Sequence, residues 1–422
     1  MNPKRSRARK LFAKVLLVLV GFLLGGLVAE IALRIVGYSY PEFYALDQSR
    51  GYALRPHAEG WYRKEGEAYV RINSDGLRDQ EHSLSKPPDT IRIAVLGDSY
   101  PEALSVSLAD AFWSVLEKKL QECDFFPGKK IKILNFGVSG YGTAQELLTL
   151  REQAWKYSPD IVMLAVTTNN DVTDNLRILK KSDEIPYFVY QANQLKLDDS
   201  FKNSRPFRLR QSGISRFGRW LRDHSRVVQA VTQGHHGFKI LLSSWRARRS
   251  QEAQPPSTSP VRANRNGEQK PDQLSRTDEL GGADNLVYLE PAEAVWNDAW
   301  RVTEGLILEM RNEVTTHGAK FVVVTLSNGP QVLPDPNGRE NFKNRLGITN
   351  LFYPDDRIKS LAAREGFPVV TLAPELQEFA QHNNAFLHGF GEDIGNGHWN
   401  ATGHRVAGEL IAKKMCEGAL LK

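Results

Sequence analysis

Cysteine is scarce in this sequence: 422 residues carry two, Cys123 and Cys416. Two thiols so far apart match neither the ligand spacing of a structural zinc site nor the dense framework of a disulfide-stapled miniprotein. Glycine-rich phosphate loops, dinucleotide fingerprints and zinc-protease motifs are absent too, so neither a metal nor an organic cofactor is expected. No internal repeat of about 20 to 50 residues is present, which excludes solenoids and propellers. Charge of one sign is also lacking over most of the chain. The formal charge is +6, but Lys4, Arg5, Arg7, Arg9 and Lys10 supply most of it, leaving 50 cations against 49 carboxylates beyond residue 10. A near-neutral body is not a nucleic-acid-binding surface, and no such partner is expected. What remains, 41% hydrophobic and 25% charged, is the composition of a globular protein.

Long apolar runs are equally rare, with one exception. From Leu11 to about Val36 only Lys14, Glu30 and Arg34 interrupt the hydrophobic residues, and Val15–Ala29 carries no charge. A cleaved signal peptide would want a small-x-small site, and Leu27-Val28-Ala29 is a poor one. A buried core helix fits badly beside five cations. An uncleaved transmembrane helix fits best, since a span takes roughly 20 apolar residues and Lys14 can snorkel. The expectation is a basic cytoplasmic tail at 1–10 and a single-pass anchor in the inner (plasma) membrane at 11–37. Everything after it then lies on the periplasmic or extracellular side.

Residues 38–90 hold short alternating runs such as Tyr69-Val70-Arg71-Ile72 and the turn signal Asn73-Ser74-Asp75-Gly76, and read as a small β-rich preface. From there apolar runs alternate with helical stretches, the pattern of a parallel α/β sheet. Strands are predicted at Ile91–Leu96, Lys132–Phe136, Ile161–Val166, Lys320–Leu326 and Pro368–Leu372. Helices are predicted from the first strand to about Glu122, over Thr143–Lys156, over Val295–Val314, and from Ala401 to about Met415. The α/β domain thus comes in two parts, 91–175 and 291–422, separated by an insertion at 176–290. Within the insertion Tyr187–Lys196 reads as a hairpin and Arg208–Arg249 as basic helices with Trp220 and Trp245. Residues 250–285, poor in large apolar side chains, read as disordered.

Four segments fall just past predicted strand ends, where a doubly wound sheet places ligands. Gly97-Asp98-Ser99-Tyr100 puts a hydroxyl at a helix opening; alone, Asp98 or Ser99 would be an ordinary cap. Asn135-Phe136-Gly137-Val138-Ser139-Gly140-Tyr141-Gly142-Thr143 lets backbone approach a ligand closely, as would any glycine-rich βα turn. Thr168-Asn169-Asn170-Asp171 offers amides to a developing negative charge, or simply Asx-turn chemistry. Gly397-His398-Trp399-Asn400-Ala401-Thr402-Gly403-His404 brings a histidine that can serve as a general base. His404 lies inside the last helix and is the decoy. The rival nucleophile elbow, Gly-x-Ser-x-Gly, finds its nearest candidate in Gly137-Val138-Ser139-Gly140-Tyr141, which lacks the last glycine.

In order and placement, these four segments resemble the blocks of the SGNH/GDSL hydrolase superfamily over roughly residues 88–175 and 315–415. Residues 40–90 resemble the preface of its membrane-anchored members. The resemblance implies a flavodoxin-like three-layer sandwich around a five-stranded parallel sheet. It implies Ser99 as nucleophile, His398 as base, and an oxyanion hole of the Ser99 N–H, the Gly140 N–H and the Asn170 side chain. Asp98, Tyr100, Asn169 and Trp399 are expected to contact substrate. The chain departs from the family where an aspartate usually stands two or three residues before the histidine; here those positions are Asn396 and Gly395. Asp393 is the nearest carboxylate and is expected to be the third member, with an uncharged Asn396 the alternative.

In the flavodoxin-like order the first and last helices are neighbours on one face, and Cys123 and Cys416 fall near their C-terminal ends. A disulfide is expected there in an oxidising compartment, two free thiols being the alternative. The function expected is hydrolysis of an acyl ester, O-acetyl above all, on a small molecule or an envelope polysaccharide. Two rivals stand beside it. One is acyl transfer to such a polymer, since His398-Trp399-Asn400 resembles the segment of exopolysaccharide acetyltransferases. The other is a non-enzymatic carbohydrate-binding scaffold with a degraded site, favoured only by the missing carboxylate.

Overall fold

The computed structural model describes residues 3–234 and 283–418. In chain order it opens with helix α1 (Pro3–Ile35), followed by two antiparallel ribbons, β1 (Tyr44–Asp47) with β2 (Gly51–Leu54) and β3 (Glu59–Tyr62) with β4 (Ala68–Arg71). Next come β5 (Thr90–Leu96), the single turn α2 (Ser99–Glu102), α3 (Phe112–Glu122), β6 (Lys130–Asn135), α4 (Thr143–Glu152) and β7 (Ile161–Thr167). After β7 comes α5 (Asn170–Asp174), and the insertion then holds α6 (Arg177–Lys180), the hairpin β8 (Tyr187–Gln191) and β9 (Gln194–Asp198), α7 (Arg205–Arg210) and α8 (Gly213–His224). The remainder is α9 (Ala294–Thr316), β10 (Lys320–Leu326), α10 (Pro336–Leu346), α11 (Tyr353–Glu365), β11 (Val369–Thr371), α12 (Ala373–Asn383) and α13 (Ala401–Glu417). Two compact units result: residues 43–210 with 283–418, and residues 3–42 with 211–234.

The larger unit is built on a five-stranded parallel sheet in the order β11–β10–β7–β5–β6. Its central strands are buried on both faces, as their continuous apolar runs require, and the two-residue period sorts their side chains. Ala94, Leu96, Val162, Leu164 and Val323 join the core under α4, α9 and α11, with Leu147, Trp300, Met310 and Ile358. Ile93, Val95, Met163, Ala165, Val322 and Val324 join the opposite core under α3, α12 and α13, with Phe112, Leu376, Val406 and Ile411. This is the expected three-layer α/β sandwich, with the first strand between the second and third.

One expectation is revised. The helix after β5 is not continuous: Ala103 takes a left-handed conformation (φ 54°) and its N–H closes on Ser99 O, so α2 stops after one turn and α3 begins at Phe112. The β-rich preface forms as two ribbons, and these pack on the α/β domain rather than stand apart from it. Phe43, Leu54, Val70 and Ile72 share a core with Leu104, Val138 and Tyr141 of the α/β domain, so the two ribbons belong to the larger unit. The Asn73–Gly76 turn forms as read, the Asn73 side chain accepting from the Asp75 and Leu77 N–H groups at 3.0 and 2.8 Å. Of residues 250–285, only 283–285 are described; they open a short 3₁₀ helix, Ala283–Tyr288, and the disorder expected before them, like Trp245, lies outside the described residues.

Candidate active site

Ser99, Gly140 and Asn170 follow β5, β6 and β7, three adjacent strands, which brings their segments together at one sheet edge. Hydrogen bonds tie the segments. Val138 N–H donates to Gly97 O (3.1 Å), joining the second to the first. The Asn170 amide and the Thr167 hydroxyl donate to the two oxygens of Asp98 (2.8 and 2.9 Å), joining the third to the first. One Asn170 N–H is used in this way, and the amide's second N–H remains for a ligand. Gly140 has φ 77°, and a Cβ there would lie 2.7 Å from the Tyr52 hydroxyl, so this backbone requires glycine. Tyr52 donates to Ser139 O (2.8 Å) and Lys180 Nζ to Gly140 O (3.2 Å), holding the loop from both sides.

His398 lies before α13, whose N-cap Asn400 accepts from the Thr402 and Gly403 N–H groups. Its Nε2 is 2.7 Å from Ser99 Oγ. On its other side stands Glu65, from the tip of the β3–β4 ribbon: one carboxylate oxygen accepts from the His398 N–H (2.9 Å) and the other from Nδ1–H. A carboxylate only accepts, so Nδ1 carries the proton and Nε2 is left to accept from the serine hydroxyl. Burial alone would lower the His398 pKa, but the hydrogen bond and charge of Glu65 outweigh it and raise it. For Glu65 burial pushes up, and the contacts with His398 prevail and hold it below the usual carboxylate range.

The carboxylate bonded to His398 is therefore Glu65 and not Asp393, where one was expected. Asp393 is exposed in a short 3₁₀ helix, Gly391–Asp393, and Asn396 is exposed as well; neither is bonded to His398 in the way Glu65 is. The physical reason is the backbone between them. Gly395 N–H donates to His388 O (2.8 Å) and Gly389 N–H to His398 O (2.9 Å), which turns the 391–396 segment outward. Gly397 (φ 71°) then faces the Glu65 carboxylate so closely that a Cβ would run into it.

Three of the four residues expected to touch substrate are buried: Asp98, Tyr100 and Trp399. They lie behind Ser99 and His398 instead: Asp98 accepts from Thr167 and Asn170, and the two rings pack together. The Tyr100 ring packs 5.3 Å from His398 and 5.0 Å from Trp399. Trp399 Nε1–H donates to Ser327 Oγ (2.8 Å), and Ser327 lies 3.1 Å from His388 Nε2, while His388 Nδ1–H donates to Gly397 O (2.8 Å). Asn169 is half-buried, its side chain accepting from the Asn170 N–H (2.8 Å). His404 is buried in α13 and accepts from the Phe112 N–H (3.3 Å); burial depresses it to about 3, so it stays neutral.

Sequence reading missed Glu65, His388, Ser327 and Glu102. Glu102 is buried on α2, accepts from the Tyr44 hydroxyl (2.9 Å) and from Ser139 Oγ, and is raised by burial to about 7. Nothing in the spacing marks Glu65, which stands 333 residues before its histidine. Cys123 and Cys416 are joined by a disulfide, with Cα atoms 6.4 Å apart, at the C-terminal ends of α3 and α13.

No family model and no curated protein matches the sequence. Among solved structures the chain is similar to the acetyl xylan esterase AlAXEase, with 10% identity over 76% of this chain and 98% of that one and a TM-score of 0.33. It is similar to an acetylxylan esterase from Geobacillus stearothermophilus, with 10% identity over 79% and 96% and a TM-score of 0.36. A third is a putative lipolytic protein of the G-D-S-L family from Desulfitobacterium hafniense, with 10% identity over 76% and 98% and a TM-score of 0.33. The chain's own sheet order, second–first–third–fourth–fifth strand, is that of a flavodoxin-like fold, with Ser99, Gly140 and Asn170 past the ends of three adjacent strands and His398 brought to them from the loop before α13.

Proposed function

We propose that this chain is an SGNH-type serine esterase that cleaves ester-linked acyl groups through an acyl-Ser99 intermediate. The observation that carries the reading is the continuous hydrogen-bond chain from Ser99 Oγ through the His398 ring to Glu65. Ser99 Oγ attacks the acyl carbonyl while His398 Nε2 takes its proton, and Glu65 stabilises the imidazolium that forms. The Ser99 and Gly140 N–H groups and the free N–H of the Asn170 amide face the oxyanion. Collapse expels the alcohol, protonated by Nε2, and water repeats the sequence on the acyl-enzyme. The scaffold alternative rested on a missing carboxylate, and the contact of Glu65 with His398 weighs against it.

The acyl group proposed is acetyl and the substrate class an acylated polysaccharide outside the inner membrane, with Phe12–Ile35 as the anchor. That segment is 24 residues long, strongly apolar and exposed along its length. With the five cations before it, it favours a cytoplasmic N-terminus. Acyl transfer would use the same acyl-Ser99 with a sugar hydroxyl in place of water. A fluorophosphonate probe on the full-length protein, followed by mass spectrometry of the labelled peptide, tests the core of the reading. Label on Ser99, lost in Ser99→Ala and His398→Ala, is expected; an unlabelled wild type that is folded overturns it. Products formed in water with and without an oligosaccharide acceptor assign the second step.

A further inference from the structure

The smaller unit contains a feature the hydrolase reading does not use. Helix α8 has no buried residue, although it is strongly amphipathic. Ile214, Phe217, Trp220 and Leu221 are exposed by 87, 62, 53 and 38%, and at about 100° per residue they fall on one stripe roughly 120° wide. Arg216, Arg219, Arg222 and Asp223 occupy the opposite sector. Phe217 stacks on Trp220, and Trp220 on His224, so the aromatic contacts of this stripe run along the helix itself. An apolar stripe of this size left open to water calls for a covering surface.

Its position names that surface. The Glu30 carboxylate, five residues before the end of α1, accepts from Ser225 Oγ and from the Arg226 and Val227 N–H groups, each at 3.0 Å. Arg34 Nη2 donates to His224 O (2.8 Å), and Arg222 pairs with Glu42 (2.9 Å). These bonds fasten the C-terminal end of α8 to the end of α1. At about 1.5 Å per residue the 24 residues Phe12–Ile35 span about 36 Å, against a hydrocarbon core of about 30 Å. Glu30 and Arg34 therefore fall at the edge of that core, and α8 leaves from the same level.

We infer that α8 lies in the membrane interface beside the exit of α1, with Ile214, Phe217, Trp220 and Leu221 inserted among the phospholipid chains and the arginines among the headgroups. An aromatic and aliphatic stripe backed by arginines is the composition that binds such a surface. The chain would then rest on the leaflet at two points rather than hang from one helix. This inference rests on the reading of α1 as a membrane anchor.

Both native cysteines are used in the disulfide, so an introduced cysteine is the sole thiol for a spin label. Full-length Phe217→Cys, Arg216→Cys and Leu23→Cys would be labelled in nanodiscs of phosphatidylcholine with phosphatidylglycerol. Collisions with oxygen and with a water-soluble nickel chelate are then compared. The inference expects oxygen to dominate at 217 and nickel at 216. A label at 217 as open to nickel as that at 216, or shielded from both reagents, overturns it. The Leu23 label separates the two readings. If it reports hydrocarbon while 217 reports water, only the interfacial helix fails; if it reports water, the anchor fails and the inference with it.

Discussion

The Glu65 carboxylate grips His398 at two points, the backbone N–H at 2.9 Å and the ring Nδ1–H, from the tip of a ribbon that precedes the whole α/β domain. A small β-segment thereby supplies the carboxylate of the proposed constellation, whose other members gather at the sheet edge. Removal of that carboxylate separates this arrangement from one built on Asp393. Glu65→Ala is expected to lower kcat/KM on an activated acetate ester by roughly 10² to 10⁴-fold. Asp393→Ala, at an exposed position, should stay within about twofold of wild type. The reverse pattern would return the role to Asp393.

The pH profile follows from the same pair. Ser99 can be deprotonated only by a neutral imidazole, so activity falls on the acid side as His398 takes a proton. Burial works against that proton, but the hydrogen bond and charge of Glu65 prevail, and the acid limb should lie above the ordinary histidine value of about 6.5. Glu65→Gln keeps one acceptor and removes the charge, leaving burial to dominate. The plateau should drop and the acid limb move to lower pH. A limb that does not move in kcat/KM between about pH 5 and 9 would show that Glu65 does not set the charge on the base.

Much of this was legible in the sequence, and the reasons differ by residue. The central strands β7 and β10 are largely β-branched and aliphatic runs buried on both faces, and all five strands, β5, β6, β7, β10 and β11, fall within two residues of their expected ends. Ser99, Gly140 and Asn170 could be placed because βα loops in such a sheet project to one edge, whereas His398, in the loop between α12 and α13, was expected there from the family resemblance. Glu65 could not be placed. A carboxylate at a hairpin tip carries no periodicity, and only the packing of Val70 and Ile72 against Leu104 and Val138 brings it to the histidine. The break in the helix after Ser99 was hidden for a similar reason: it is made by one alanine in a left-handed conformation, a residue with no turn signature.

Gly397 offers a test of how tightly the loop and the ribbon fit. Its φ of 71° disfavours any side chain, and a Cβ would meet the Glu65 carboxylate. Gly397→Ala should leave the fold intact, because the clash falls on a side chain at the half-exposed site. It should also push Glu65 off the ring. A misplacement of about 1 Å can cost about 10²-fold in rate, and a loss of that order in kcat is expected with an unchanged circular dichroism spectrum. Full activity would mean that Glu65 and the loop adjust freely.

Glu102 links stability to pH. In the folded protein burial raises it to about 7 from the ordinary 4.5, so between those values the folded state holds a proton the unfolded chain has released. Its stabilising contribution is thus complete below about pH 4.5 and lost as pH rises through about 7. Glu102→Gln cannot ionise and can still accept from Tyr44 and Ser139. The variant should gain on wild type with rising pH, by up to about 3 kcal/mol at pH 8, in urea melts at pH 5 and pH 8. Asp174 and Asp355, raised by burial to about 7 and about 6, titrate in both proteins and drop out of the difference. A difference that is flat with pH would sink the assignment.

The disulfide should matter to stability and not to turnover. Cys123 and Cys416 close a loop of 293 residues, so the cross-link removes much freedom from the unfolded chain. It joins the ends of α3 and α13 remote from the proposed chemistry: Cys416 lies 15 residues beyond Ala401, where α13 begins, about 22 Å along the helix at a 1.5 Å rise. The shared core of Phe112, Leu116, Leu120, Val406, Ile411 and Met415 already holds the two helices together. The double variant Cys123→Ser, Cys416→Ser should therefore fold, lose about 2–4 kcal/mol and melt several degrees lower. Its kcat/KM at 25 °C should stay within about twofold of wild type, since neither the Ser99–His398 contact nor the Glu65 grip is touched. A melting temperature insensitive to reductant in the wild type would mean the bond contributes nothing. A large loss of turnover at an unchanged melting temperature would mean that α13 must be pinned at its far end to hold His398 in place.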